Sequence, residues 1–321
     1  MKKQNDTQNQ IGYNESEDIN MTSRYINPYT DFGFKKLFGE EGSKHLLKDF
    51  LNELLPKKYT IAELTFNNNE QLGDNKYERN SVFDIHCTGV DKTVFIVEMQ
   101  KAKINYFKDR AIFYTTFPIR NMAEKGDWDF NLKPVFCIAI LDFEFHNEER
   151  KQSDHISYVE LKDQYCQKFY DKLAYIFIEM PKFNKNENEL KNHFDKWLYF
   201  LKNLENFAAI PEILNEPVFK EGFKKAEIAN FNKNQLIEYE RSLKNYWDAT
   251  AMIKTAFDDG KLEGIQEGIE NEKKLTIEKT KQTAIIMYSD GFTIEQIVKY
   301  TDLGEEEVKK LIGDINNKEQ V

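Results

Sequence analysis

Apolar positions first fall into helical spacing after the turn-prone pair Asn27-Pro28, where Phe34, Leu37 and Phe38 share a face and Asp31 stands where a cap belongs. A longer amphipathic helix opens at Gly42-Ser43, carries Leu46, Leu47, Phe50, Leu51, Leu54 and Leu55, and stops at Pro56. Strand-like runs follow at 61–67, 81–88 and 93–100. A helical run over about 105–125, which Pro118 is expected to kink, leads into the continuous apolar run PVFCIAIL at 134–141. That run reads as a strand buried on both faces, and two more strands are expected at 155–161 and 173–179. Helix, three strands, helix, strand implies an α/β fold: a mixed sheet with helices packed on it.

Beyond Pro181 the pattern is helical almost throughout and rich in Lys and Glu. The small residues Gly260, Gly264 and Gly268 lie among charges and read as a pliable linker rather than a membrane-helix contact. The last stretch holds two short amphipathic helices around the turn Tyr300 to Gly304, a helix-turn-helix-like unit with Thr293 as a cap. Its second helix opens with Glu305, Glu306 and Glu307, which face phosphates badly, so a packing or protein-contact role competes with DNA reading. The expected division is a disordered polar tail at 1–24, an α/β domain at 25–181, a helical region at 182–283 and the small unit at 284–321.

The net charge of −10 argues against nonspecific nucleic-acid binding by the chain as a whole. Positive charge gathers in one stretch, where Lys101, Lys103, Lys108, Arg110, Arg120 and Lys125 outnumber Asp109 and Glu124. That stretch suits phosphates, and equally a solvated helix face. Cys87, Cys137 and Cys166 lack metal-ligand spacing and read as free thiols of a reducing cytoplasm. No apolar run approaches a membrane span and the polar N-terminus lacks a signal-peptide core, so a cytoplasmic location is expected.

The sharpest chemistry lies in SVFDIHCT and TVFIVEMQ, joined across Gly89-Val90-Asp91-Lys92 as a hairpin. Alternation puts Phe83, Ile85 and Cys87 on one face with Phe95, Val97 and Met99. A three-residue loop then sets Ile85 opposite Val97, Cys87 opposite Phe95 and Phe83 opposite Met99. The same register brings Asp84 across from Glu98 and Val82 across from Gln100. Facing carboxylates repel unless a divalent cation, a proton or a basic partner intervenes, and Mg²⁺ needs few carboxylates. Two acids on a wet hairpin face are commonplace, but Val94 and Ile96 share this face and predict that it is covered.

These residues resemble a family. An Asp near the end of one strand and Glu-x-Gln on the next, inside helix, strands, helix, strand, resembles the PD-(D/E)XK nucleases. More narrowly, the chain resembles the recombination-promoting nucleases, the PD-(D/E)XK nuclease family transposases of bacteria. The matching pieces are DFGFKKLF at 31–38, SVFD at 81–84, IVEMQ at 96–100, Tyr106-Phe107 with Arg110 and Tyr114, and PVFCIAILDF. Phe83 replaces the superfamily's Pro, and Gln100 stands where Lys is common. The resemblance implies a restriction-endonuclease-like core and hydrolysis of phosphodiesters in DNA.

It also implies Mg²⁺, or Mn²⁺, held by Asp84, Glu98 and the carbonyl of Met99, with Gln100 orienting water. Lys35, Lys36, Lys101, Lys103, Arg110 and Tyr114 are the candidate DNA contacts, Arg110 and Tyr114 serving equally as a helix–sheet packing pair. Glu53 is a weaker ligand candidate, and His86 reads as a supporting residue. A nuclease fold that binds DNA or protein without turnover is the alternative, favoured by Gln100 and the acidic charge. A third reading is assembly of like chains through the C-terminal helices.

Overall fold

The computed structural model describes residues 23–67, 70–71, 81–82, 84–123, 129–145 and 154–318. Most of the expected tail, Phe83 with its pairing to Met99, and Glu124 and Lys125 of the basic stretch lie outside these residues.

Helix α1 (Asp31–Phe34) runs into a π-helical turn, Lys35–Gly39, and α2 (Lys44–Leu54) follows. The cap of α1 is Thr30 rather than Asp31: the Thr30 Oγ1 accepts the Gly33 N–H, and Asp31 takes the first helical position. After α2 come β1 (Leu64–Phe66), β2 (Glu70–Gln71), β3 (Ser81–Val82), β4 (Ile85–Gly89) and β5 (Val94–Gln100). Helix α3 (Phe107–Asn121) continues through Pro118. Then follow β6 (Val135–Leu141), β7 (Ile156–Lys162) and β8 (Lys168–Glu179). Six strands form one sheet in the order β1-β4-β5-β6-β8-β7. The β5–β6 and β6–β8 pairs are parallel and the others antiparallel, so the sheet is mixed, with α3 as the crossover from β5 to β6. Val82 pairs with Glu70 in a separate two-stranded ladder rather than with Gln100.

Both faces of the sheet are covered. All seven residues of β6 are buried, as its unbroken apolar run requires. One face, with Ile85, Cys87, Phe95 and Val97, packs on α2, α4 (His193–Asn203) and α5 (Pro217–Ala226). The other, with Ile96, Cys137 and Ala139, packs on Phe107, Ala111, Tyr114 and Phe117 of α3.

The compact unit extends to Thr250, past the change of composition at Pro181. Helices α4 and α5 drive Trp197, Phe200, Phe219 and Phe223 into the same core as Phe38 and Phe50 of the N-terminal elements. Their charged outer faces dominate the composition and hide this apolar face. Helix α6 (Lys233–Ser289) spans the division, and residues 251–321 form a second unit. There α7 (Ile294–Thr301), α8 (Glu305–Lys318) and the end of α6 enclose Ala284, Ile297, Val308 and Ile312. Thr293 caps α7 as its position suggests, in a reciprocal box with Gln296. Among the described residues no helix is long and apolar enough to cross a membrane.

Candidate active site

The hairpin that carries the two acids has the register its apolar face demands. Ile85 pairs with Val97, His86 with Ile96, Cys87 with Phe95 and Thr88 with Val94. The loop is closed by the Lys92 N–H on the Gly89 carbonyl, with Lys92 left-handed at φ 69° and the Asp91 carboxylate accepting from both Thr93 N–H and Thr93 Oγ1. Counting back from these pairs brings Asp84 level with Glu98, and the contacts agree. The Met99 N–H donates to Asp84 Oδ2 at 2.7 Å, and the Asp84 N–H donates to Glu98 Oε1 at 3.2 Å.

Helix α3 covers this face, so Glu98 is only 3% exposed. Burial, then the charge of Asp84, pushes the Glu98 carboxyl up to about 8, against the pull of Arg110. Burial likewise pushes Asp84 up, opposed by its bond from Met99. The nearest basic group to Glu98 is Arg110, whose Nη2 lies 3.7 Å from Oε2. Arg110 is aimed by Tyr114 one turn on: its Nε donates to the Tyr114 hydroxyl at 2.6 Å, and the guanidinium lies over the same ring. Tyr114 itself is buried in the helix–sheet contact, so it acts on Arg110 rather than on solvent.

Asp84 opens into a cavity of about 320 Å³ lined also by Tyr29, Asp31, Met99, Gln100, Lys101, Ala102 and Ala249. Gln100 shares the acids' side of β5 by alternation, and its Nε2 donates to the Ala102 carbonyl at 3.1 Å. Lys101 is half-buried, and Lys103 is exposed. Lys35 is paired with Asp31 at 2.9 Å, and its charge reaches both Asp84 and Glu98. Lys36 has 11% of its side chain accessible and its ammonium bound to Glu40. Glu53 is exposed on α2 and does not line the cavity.

Sequence reasoning gave Asp31 only a capping role, yet its charge acts on Asp84 and its side chain lines the cavity. Its place in DFGFKK, one helix away from the strand acids, was the available signal. Ala249 comes from α6, far along the chain, and no local pattern announces it. An apolar cavity of about 400 Å³ lies between α3 and the β7–β8 pair, but its one carboxylate, Glu160, is engaged by Lys168. The paired acids are therefore the better centre of chemistry.

Among the described residues no three His, Cys, Asp or Glu side chains converge as a metal cage. The buried Glu98 and the half-buried Asp84, held side by side, nevertheless fit a hard divalent ion that keeps water and phosphate oxygens as its other ligands. No curated protein and no solved structure matches the chain. The family model of the PD-(D/E)XK nuclease family transposases matches residues 28–256, which take in the whole sheet, α3 and the start of α6. The chain belongs to the PD-(D/E)XK nuclease family transposases.

Proposed function

We propose that this protein is a Mg²⁺-dependent DNA endonuclease, with Mn²⁺ as a substitute, acting in the bacterial cytoplasm in recombination or mobile-element chemistry. The observation that carries this reading is the Asp84–Glu98 pair, Glu98 buried and Asp84 half-buried and opening beside Lys101 into a cavity. Asp84, Glu98 and the Met99 carbonyl would hold the ion. When bound, it would supply Lewis acidity, activating water and neutralising charge on the phosphate. The rest falls to the protein. The Met99 N–H fixes the Asp84 carboxylate, Arg110 offsets part of the charge on Glu98, and the Gln100 amide orients water without serving as a base. Lys35, Lys101, Lys103 and Arg110 are the proposed phosphate contacts, and the C-terminal helices a surface for association of like chains.

Gln100 favours a second reading, a nuclease fold that binds DNA with little or no turnover, because a neutral amide cannot stabilise charge as lysine does. A divalent-metal titration of supercoiled plasmid cleavage separates the two. The endonuclease reading expects nicking with Mg²⁺ or Mn²⁺ that Asp84→Ala abolishes. Metal-independent cutting that survives this change sinks it, and DNA binding without cutting across metals establishes the alternative.

A further inference from the structure

The cavity beside Asp84 contains one residue whose charge suits the role that Gln100 cannot fill. Gln100 is neutral, and its amide N–H is turned to the Ala102 carbonyl two residues on. The next residue, Lys101, lines the same cavity as Asp84, and its ammonium interacts with the charges of both Asp31 and Asp84. It is half-buried, unlike the exposed Lys103. Its position is also supported from outside the hairpin. The Lys101 Nζ lies 5.0 Å from the ring centroid of Tyr246 on α6, a cation–π distance. Tyr246 is fixed in turn, its hydroxyl donating to Asp142 Oδ2 at 3.3 Å. Asp142 follows β6 and donates its own N–H to the Gln100 carbonyl at 2.9 Å. The ring over the ammonium is thus tied through Asp142 to the end of β5 that leads into Lys101.

The same part of α6 is tied to the segment that delivers Asp31. The Asn27 N–H donates to the Tyr239 hydroxyl at 2.8 Å, and the Phe32 N–H donates to Ser242 Oγ at 3.0 Å. Ala249, one turn past Tyr246, closes the cavity wall. The first turns of α6 therefore hold both segments that border the acids.

We propose that Lys101, positioned by Tyr246, provides the positive charge on the reacting phosphate that a lysine at position 100 would otherwise supply. The assignment rests on the nuclease reading. In this role the protonated ammonium donates hydrogen bonds to a non-bridging phosphate oxygen and takes no part in proton transfer. Lys101 is then a catalytic residue and Tyr246 a positioning residue.

The test uses the full chain, with Lys101→Met to remove charge at similar shape and Lys101→Arg to retain it. Tyr246→Leu removes the ring, and Tyr246→Phe retains it. In single-turnover cleavage with Mg²⁺ and the protein in saturating excess over plasmid, Lys101→Met should lose roughly 100-fold in rate, the usual loss for one electrostatic stabiliser. Lys101→Arg should recover most of this. Tyr246→Leu should lose about tenfold alone and little more on top of Lys101→Met, because the two act as a unit. Tyr246→Phe keeps the ring over Lys101 but loses the hydroxyl's hold on Asp142, so it should lose less than Tyr246→Leu. A Lys101→Met rate close to wild type, with Gln100→Ala the damaging change instead, overturns the assignment. Full additivity of Tyr246→Leu and Lys101→Met overturns the positioning role.

Binding of thymidine 3′,5′-bisphosphate in Ca²⁺, read by calorimetry, does not depend on turnover. Lys101→Met should weaken it roughly tenfold, the worth of one hydrogen bond to a charged group. Unchanged affinity overturns Lys101 even if the wild-type chain cuts nothing, an outcome that on its own would count against the nuclease reading.

Discussion

Asp84 and Glu98 are bound to each other through the backbone, the Asp84 N–H donating to the Glu98 carboxylate while the Met99 N–H donates to the Asp84 carboxylate. Neither acid can swing away from the other without breaking one of these bonds. Their repulsion is therefore built into the fold and is relieved by a proton or by a cation.

A pH dependence of stability follows. The folded-state value of Glu98, about 8, lies above its ordinary 4.5. A carboxylate shifted upward favours the folded state fully below its unfolded value and loses that contribution as pH rises through the folded one. With chelator present, the melting temperature should fall between about pH 5 and about pH 8, and Glu98→Gln should flatten that fall. Added Mg²⁺ should raise the wild-type melting temperature at the upper end and do so much less in the variant. Parallel wild-type and variant profiles would show that Glu98 is not the group responsible.

Arg110 offsets charge on Glu98 from 3.7 Å and is aimed by Tyr114. If it also meets a DNA phosphate, Arg110→Ala should lower affinity similarly for all sequences. It should also reduce the slope of log K against log salt by about 0.9, the share of one phosphate contact. Tyr114→Phe keeps the ring and loses only the hydroxyl, so its effect should be smaller. An unchanged slope in Arg110→Ala, measured by fluorescence anisotropy, would confine Arg110 to its role beside Glu98.

The hairpin was legible because alternation has a period of two, and a slip of one residue would turn Glu98 toward the core of Ile85 and Val97. That this face is covered was legible too, since Val94 and Ile96 needed burial on the acids' side, but not that α3 is the cover. Asp31 was ambiguous: an acid at the first turn of a helix is ordinary, and only the tertiary fold brings it to Asp84. Tyr246 and Ala249 were hidden for a stronger reason. They lie about a hundred and fifty residues from the acids on a helix whose composition is solvent-like, and chain folding alone brings them together.

The glycine of DFGF has a steric reason. A Cβ on Gly33 would sit 2.2 Å from the Asn27 carbonyl oxygen and 2.7 Å from Thr30 Oγ1, and the first of these is backbone that cannot step aside cheaply. Gly33→Ala should therefore displace the 27–30 turn and with it Asp31. The expected cost is ~1–3 kcal/mol, the range for forced overpacking, read by urea denaturation. Cleavage or phosphate binding should fall further than stability alone accounts for, because Asp31 borders the site. A variant as stable and as active as wild type would show that the turn yields freely.

The division of the chain at Thr250 rather than Pro181 has its own consequence for folding. Trp197 of α4 is fully buried, packs against Phe38, Phe50 and Phe219, and donates its indole N–H to Asp49 Oδ1 at 2.6 Å. The same Asp49 oxygen lies 2.7 Å from His193 Nε2, so α2 and α4 share a polar clasp as well as a core. Trp197→Ala should cost about 3–5 kcal/mol, as for other buried aromatics reduced to alanine. A chain cut after Pro181 would leave the faces of Phe38, Phe50 and the sheet open to water. It should lack a cooperative unfolding transition and bind apolar dyes, whereas a chain cut after Thr250 should unfold cooperatively. Cooperative unfolding of the shorter piece would restore the boundary at Pro181 and make α4 and α5 an appended layer.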